Sequence, residues 1–78
     1  MLFRYNILRV TSFGEANYVK QKLQEIDGVI DASLNNNYKL VYVKMTKKIS
    51  MQILNNVLKP KYEIDGEVNI GELNRFFP

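Results

Sequence analysis

Residues 2–28 read LFRYNILRVTSFGEANYVKQKLQEIDG, and this stretch decides the fold. In its first part Phe3, Tyr5 and Ile7 recur at every second position, which is the period of a half-buried strand. From residue 16 onward the apolar residues recur at steps of three and four, which predicts an amphipathic helix that ends near Gly28. The residues expected on the buried side of that helix are Ala16, Val19, Leu23 and Ile26.

The rest of the chain predicts two strands, a second helix and a fourth strand. Residues 29–34 and 38–45 are rich in apolar, β-branched and aromatic residues, and the three asparagines at 35–37 favour a turn between them. Ser50 predicts the N-cap of a helix that ends at Pro60. The residues expected to face inward from that helix are Ile53, Leu54, Val57 and Leu58.

The fourth strand is predicted to begin at Tyr62 and to extend to residue 64 or as far as 68, broken or ended at Asp65 and Gly66. The resulting order, βαββαβ, predicts an α+β ferredoxin-like sandwich. In that arrangement two right-handed βαβ crossovers give a four-stranded antiparallel sheet with both helices on one face. The other face of the sheet is left uncovered.

Composition narrows the possible functions. The chain has 78 residues, 46% hydrophobic and 24% charged, which suits one small folded domain. It contains no cysteine and no histidine, so disulfides, thiolate nucleophiles, imidazole bases and the usual ligands of zinc and copper(I) are all excluded. We therefore expect neither an enzyme nor a cofactor.

The domain is predicted to cover residues 1–68, followed by a tail at 69–78. Asn69 and Glu72 favour a short helix in that tail. Phe76 and Phe77 are expected to fold back on the uncovered sheet or on the helix layer, since leaving them exposed favours self-association.

The N-terminal strand is not expected to be a targeting segment. Arg4, Asn6 and Arg9 interrupt residues 2–10, so the continuous apolar stretch of a signal peptide or membrane span is missing. The sequence therefore predicts a cytosolic protein without a membrane partner.

Four segments of the chain resemble the heavy-metal-associated (HMA) domains of copper chaperones and metal-pumping ATPases. They are the run at 5–15, the helix that closes on residues 26–29 (IDGV), the run at 48–50 and the run at 61–64. The resemblance spans about residues 3 to 65 and implies the ferredoxin-like fold. The Gly-Met-x-Cys-x-x-Cys metal loop of that family is absent: Arg9 and Val10 replace Gly-Met, and Ser12 and Glu15 stand at the cysteine positions.

Ser12 and Glu15 have two interpretations. A hydroxyl is a poor ligand for soft metals, and one carboxylate rarely holds an ion, so metal ligation is disfavoured. Ser-x-x-Glu before an apolar-periodic helix is also the capping-box signature, in which the hydroxyl accepts a backbone N–H and the carboxylate reaches back. We favour the cap, which contributes about 1 kcal/mol.

A second candidate site lies on the third strand. Tyr38, Leu40 and Tyr42 are expected on one side of it, and Val41, Val43 and Met45 on the other, so one apolar side faces away from the helices. Together with Lys39 and Lys44, the tyrosines suggest single-stranded nucleic-acid binding, although no RNP-type motif precedes the strand. Dimerisation through this face, or coverage by the tail, are the alternatives.

The resemblance implies a degenerate HMA-like domain that acts as a non-catalytic interaction or docking module linked to metal transport. Its implied partner is a protein, either a metal-transporting ATPase or a second copy of the chain. Binding of single-stranded nucleic acid through the sheet is the alternative function.

Overall fold

The computed structural model describes residues 1–68 of the chain. Its secondary structure follows the predicted order. The elements are β1 (Leu2–Leu8), α1 (Phe13–Gln24), β2 (Val29–Leu34), β3 (Leu40–Met45), α2 (Met51–Leu58) and β4 (Glu63–Glu67). The predicted tail, with its short helix and the packing of Phe76 and Phe77, lies outside the described residues.

The four strands form one antiparallel sheet in the order β2-β3-β1-β4. Strand β1 is central, and its Tyr5 lies opposite Val41 of β3 on one side and Glu67 of β4 on the other. This order follows from two βαβ units that share one sheet. The α+β ferredoxin-like prediction is confirmed.

The core lies between the sheet and the helices, and alternation along the strands supplies most of it. Val41, Val43 and Met45 have no exposed surface, so this side of β3 faces the helices. The remaining buried side chains come from all the other elements and their connections: Tyr5, Ile7, Val10, Ala16, Val19, Leu23, Ala32, Ile49, Leu54, Leu58, Tyr62 and Ile64.

Ala16, Val19 and Leu23 of α1 face inward as predicted, but α1 ends at Gln24, so Ile26 packs against the core from the turn after the helix. The inward face of α2 differs from the prediction at one position. Leu54 and Leu58 of α2 are buried, but Ile53 is 48% exposed. Leu54 and Leu58 are four residues apart and share a face, while Ile53 lies about 100° around the helix from Leu54. The prediction for Ile53 is wrong. Neither helix is long and apolar enough to span a membrane within residues 1–68.

The third strand begins two residues later than predicted. Tyr38 has a left-handed backbone (φ 60°) and belongs to the hairpin turn. Asn35 organises that turn, because its Oδ1 accepts the backbone N–H groups of Lys39 and Leu40, each at 3.0 Å. Tyr38 therefore does not continue the side-chain alternation of β3.

Strand β4 continues through Asp65 and Gly66 with an irregularity. Asn6 lies opposite Gly66 and Ile7 opposite Ile64, so Asp65 is an extra residue, as in a β-bulge. Pairing with β1 resumes beyond it, and the Val68 N–H donates to the Arg4 carbonyl at 2.8 Å. The predicted break is thus a bulge inside the strand.

Candidate functional site at the loop end of the sheet

The connection from β1 to α1 is a helix cap. Ser12 has an extended backbone (φ −149°, ψ 162°), and its hydroxyl accepts the Glu15 N–H at 3.2 Å. Its carbonyl accepts the Ala16 N–H at 3.0 Å and begins the helical hydrogen bonding. The geometry is the capping interaction that the Ser-x-x-Glu pattern predicts.

The Glu15 carboxylate reaches back to the residue before the cap. Its Oε1 accepts from the Thr11 N–H at 3.0 Å and from the Thr11 hydroxyl at 2.6 Å, and lies 3.5 Å from the Ser12 hydroxyl. A capping-box carboxylate ordinarily bonds the N-cap residue's own N–H. Here the carboxylate instead bonds Thr11, the residue before the N-cap, because the N–H and the hydroxyl of Thr11 both point toward it.

The second oxygen of Glu15 is bound by the connection between α2 and β4. Glu15 Oε2 accepts from the Tyr62 hydroxyl at 2.9 Å and lies 3.2 Å from the Lys61 Nζ. Tyr62 is 2% exposed, so its hydroxyl is fixed by packing, whereas the Lys61 side chain is 67% exposed. Both carboxylate oxygens therefore have donors from the chain itself. We call Thr11, Ser12, Glu15, Lys61 and Tyr62 the Glu15 cluster.

These contacts shift the pKa values of three side chains in the Glu15 cluster. The hydroxyl and N–H of Thr11, followed by Tyr62 and Lys61, lower the pKa of Glu15 to about 2. The Glu15 carboxylate raises the pKa of Lys61. Burial, followed by the hydrogen bond to Glu15, raises the pKa of Tyr62. Glu15 is consequently a carboxylate and Lys61 an ammonium group at neutral pH.

Arg9 links the connection between β1 and α1 to the connection between α2 and β4. It has a left-handed backbone (φ 73°), its Nε donates to the Lys61 carbonyl at 3.1 Å, and its Nη2 lies 3.4 Å from Glu63 Oε1. Glycine, the residue that the resemblance to HMA domains implies here, adopts such a backbone freely. The arginine thereby fixes the loop that carries Lys61.

A hollow of about 400 Å³ lies beside the cluster. It is lined by Gly14, Glu15, Tyr18 and residues 58–62. The rings of Tyr18 and Tyr62 are 5.9 Å apart, and the Lys61 ammonium lies 5.4 Å from the Tyr62 ring. Tyr18 is 46% exposed, and Lys59 and Lys61 lie at the surface. The hollow therefore combines aromatic walls with positive charge.

The cluster does not suit a metal ion. Within residues 1–68 no three acidic side chains, the only potential ligands of that kind in a chain without His or Cys, come together around one point. Glu15 is the one carboxylate on the loop, and Thr11, Tyr62 and Lys61 already bind its two oxygens. Hard cations need several oxygen ligands, and soft ones need sulfur or nitrogen.

The structure places the binding residues predicted on the third strand in different parts of the fold. Leu40, Tyr42 and Lys44 lie on the sheet side away from the helices, and Asn6, Arg4 and Leu2 of β1 lie opposite them on the same side; we call these six residues the open face. Lys39 is exposed in the turn. Tyr38 instead lines a hollow of about 280 Å³ against Phe13, Ala16 and Lys20 of α1. The expectation that Tyr38 shares a face with Tyr42 is wrong, because its left-handed backbone turns it toward the helix layer.

Thr11, Lys61 and Tyr62 were not predicted as site residues. Lys61 and Tyr62 belong to the run at 61–64, which carries part of the HMA resemblance. That resemblance is the sequence feature from which they could have been predicted. Thr11 has no such signal, since its role depends on where the Glu15 side chain turns.

Comparison with known proteins supports the fold. No protein-family model matches the sequence, and no curated protein matches it. A solved structure described as "CopZ metallochaperone" has 19% sequence identity and a TM-score of 0.72, covering 83% of this chain and all of that one. Another, described as "Crosstalk between Cu(I) and Zn(II) homeostasis", has 13% identity and a TM-score of 0.73, covering 85% of this chain and 97% of that one. The chain shares the fold of these two structures.

Proposed function

We propose that this chain is a non-catalytic docking module of metal homeostasis, whose loop end binds a partner protein without holding a metal ion. The observation that carries the proposal is the Glu15 cluster, in which four donors from Thr11, Tyr62 and Lys61 occupy both carboxylate oxygens. The cluster lies where the HMA resemblance puts the metal loop. A cation would have to displace Lys61 and find further ligands elsewhere.

The surface around the cluster supports protein binding. Lys59 and Lys61 give it positive charge, while Phe13 and Tyr18, 70% and 46% exposed, offer apolar area close by. Aromatic residues are enriched at protein interfaces, and the positive charge of the two lysines favours a partner with an acidic surface. The proposed partner is the cytosolic domain of a metal-transporting ATPase, because the fold is shared with a structure described as a metallochaperone. The cytosol is accordingly the proposed location.

Metal titration tests the first half of the proposal. The ¹⁵N-labelled chain is titrated with copper(I) and, separately, with zinc while amide shifts are recorded. We expect no saturable shifts at residues 11–16. The double variant Ser12→Cys, Glu15→Cys is the positive control, because two thiolates at a helix start bind soft metals. Saturable shifts of the unmodified loop at micromolar metal would overturn the proposal.

Partner titration tests the second half. Purified cytosolic domain of a metal-transporting ATPase from the same organism is added to the labelled chain, and we expect shifts at residues 11–16 and 59–62. Lys59→Glu reverses a charge at the loop end and should weaken binding about tenfold, or about 1.4 kcal/mol, because charges at an interface steer the association of the partners. Lys47→Glu is the matched control, since Lys47 lies beside Thr46, whose N–H bonds Gly28 at the opposite end of the sheet. Equal binding by both variants, or none by the wild type, contradicts docking at this end.

A further inference from the structure

Strand β2 lies at an edge of the sheet, and part of its backbone points away from the neighbouring strand. The Asn35 N–H donates to the Leu40 carbonyl of β3 at 3.1 Å. Hydrogen bonding alternates from residue to residue along an antiparallel pair, so Ser33 also bonds β3, whereas Ala32 and Leu34 direct their N–H and C=O groups outward. Among residues 1–68 no strand lies beyond β2 to bond them.

The two outward residues of β2 differ in access. Asp31 Oδ1 accepts the Ala32 N–H at 2.9 Å and the Gln24 amide of α1 at 2.8 Å, and Ala32 is 2% exposed. The edge is therefore closed at Ala32. Leu34 is half-buried, and no side chain among residues 1–68 bonds its N–H or its carbonyl. An open N–H and C=O pair on an edge strand can bond another extended chain.

The hollow of about 280 Å³ that Tyr38 lines lies between this open edge and α1. Its lining is Phe13, Ala16, Asn17 and Lys20 on the helix, and residues 33–36 and Tyr38 on the strand and the turn. Phe13 is 70% exposed, and the Leu34 side chain packs against the core on the helix side. A residue added directly opposite Leu34 would direct its side chain to the same side of the sheet, where the hollow lies.

Lys20 gives the hollow a positive charge. It is the one charged residue among the lining groups within residues 1–68, and it takes part in none of the ion pairs of that region. Asp31, the acidic residue of β2, lies outside the lining. Gln24 reaches Asp31, and Lys20 lies one helical turn, about 5.4 Å, nearer the start of α1, which places it beside the Ala32–Leu34 part of the strand.

We propose that the edge of β2 at Leu34, together with this hollow, binds an extended peptide segment of a partner protein. The peptide carries an apolar side chain and, two positions away, an acidic one. Its backbone exchanges two hydrogen bonds with Leu34, the apolar side chain enters the hollow between Phe13 and Tyr38, and the carboxylate faces Lys20. Side chains two positions apart in an extended chain lie on the same side, about 6.6 Å from one another, and recognition of this kind is strand addition.

The inference goes beyond the proposed docking function and does not depend on it. The Glu15 cluster and its hollow lie on the other side of α1, because Tyr18 and Lys20 are about 200° apart around the helix. The experiment can therefore separate the two proposals.

Peptide titration of the ¹⁵N-labelled full chain tests the inference. The probe is the acetylated and amidated hexapeptide Thr-Val-Phe-Thr-Glu-Thr. We expect saturable shifts at residues 13–20 and 33–38, with half saturation below about 1 mM, the level of a weak complex. Lys20→Glu should weaken binding about tenfold, because it places a like charge beside the peptide carboxylate.

Two variants serve as controls. Lys22→Glu changes the same residue type on the same helix, about 200° around it from Lys20. Lys59→Glu changes the other hollow. Both should bind the peptide as the wild type does. Equal weakening by Lys20→Glu and Lys22→Glu, or no saturation with the wild type, would overturn the inference, and neither result bears on docking at the Glu15 cluster.

Methylation of single peptide nitrogens tests the strand pairing. The residue opposite Leu34 donates its N–H to the edge, whereas the N–H groups of its two neighbours point to solvent. One methylated peptide of the series should therefore lose binding, and those methylated at the adjacent positions should retain it. Equal tolerance at every position would assign binding to the side chains alone and overturn strand addition.

Dilution without peptide tests a second copy of the chain as the occupant of the edge. We expect the Leu34 amide shift to stay constant on tenfold dilution. A shift that changes on dilution would assign the edge to self-association and overturn the inference.

Discussion

Asn55 of α2 binds both backbone polar groups of Ile64 in β4. Its Nδ2 donates to the Ile64 carbonyl at 3.1 Å, and its Oδ1 accepts the Ile64 N–H at 2.6 Å. Strand β4 is at the edge of the sheet, and these two groups point outward from it. One side-chain amide thus takes the place of a fifth strand, and it also fixes α2 against β4.

Replacing Asn55 with alanine should lower the free energy of unfolding by about 1–3 kcal/mol, since both groups of Ile64 lose their protein partner. Urea unfolding measures the change. Asn56→Ala is the control: Asn56 is exposed in the same turn of the helix, and its loss should cost less than about 0.5 kcal/mol. Equal effects of the two substitutions would show that the amide bonds are not stabilising.

Tyr5 offers a substitution that should stabilise the protein. The residue has no exposed surface, and its hydroxyl has no hydrogen-bond partner among residues 1–68. Tyr5→Phe removes this unsatisfied group while keeping the ring, and we expect a gain of about 1 kcal/mol in the free energy of unfolding at neutral pH. Tyr18→Phe, at a 46% exposed position, should leave it unchanged. A loss of stability in Tyr5→Phe would mean that the hydroxyl has a partner in solution.

The same tyrosine predicts a loss of stability in alkali. Burial, with a smaller contribution from the Glu67 charge, raises the pKa of Tyr5 to about 12 from 10.0. Between these values the unfolded chain releases the proton and the folded chain retains it, so stability falls as pH rises. The difference in unfolding free energy between Tyr5→Phe and wild type should therefore widen from pH 10 to 12. A constant difference would contradict the raised pKa.

Glu15 should make the protein sensitive to acid. Its pKa is lowered from 4.5 to about 2, so as pH falls through this window the unfolded chain binds the proton first and stability declines. Glu15→Gln removes the titration and presents an amide N–H₂ to the Lys61 and Tyr62 donors, so it should be less stable than wild type near neutral pH. The gap between them should close as pH approaches 2. Glu25→Gln, whose residue is exposed and 3.8 Å from Lys22, is the control and should change the free energy of unfolding at neutral pH by less than about 0.5 kcal/mol.

Two glycines should respond oppositely to alanine. Gly14 lies in α1, and a Cβ there would meet no atom within 4 Å, so Gly14→Ala should stabilise by about 0.5–1 kcal/mol. Gly28 has φ +98°, and a Cβ would lie 3.3 Å from Ile49 Cδ1. Gly28→Ala should therefore destabilise by about 1–3 kcal/mol. Thermal unfolding of both variants checks the pair, and a shift in the same direction for both would contradict this account.

The different positions of Tyr38 and Tyr42 allow a test of single-stranded nucleic-acid binding. If single-stranded RNA binds the open face, retention should weaken with salt and be lost in Tyr42→Ala, while Tyr38→Ala should have no effect because Tyr38 packs toward α1. The docking proposal expects no retention of RNA even at low salt. Equal losses in both tyrosine variants would place binding elsewhere.

Local patterns predicted most of the secondary structure. The alternation of Phe3, Tyr5 and Ile7 and the caps at Ser12 and Ser50 are confirmed, whereas the first helix ends at Gln24, before the predicted end near Gly28, which lies in the turn that follows. Each is a property of residues within a few positions of one another, and local hydrogen bonding and periodicity determine it. The same reasoning failed at Tyr38, where a turn held by Asn35 overrides the high strand propensity of tyrosine.

The sequence alone therefore determined the order of the elements, the helix caps and the absence of thiolate and imidazole ligands. Only the tertiary structure decided that Tyr62 bonds the carboxylate of Glu15, which lies 47 residues away in the sequence. It also decided that Asn55 binds the outward backbone groups of Ile64 in β4, and that Leu40 rather than Val41 faces away from the helices. Contacts between distant residues depend on how the whole chain closes around its core. That closure is set by the summed burial of many side chains, so no single stretch of sequence encodes it.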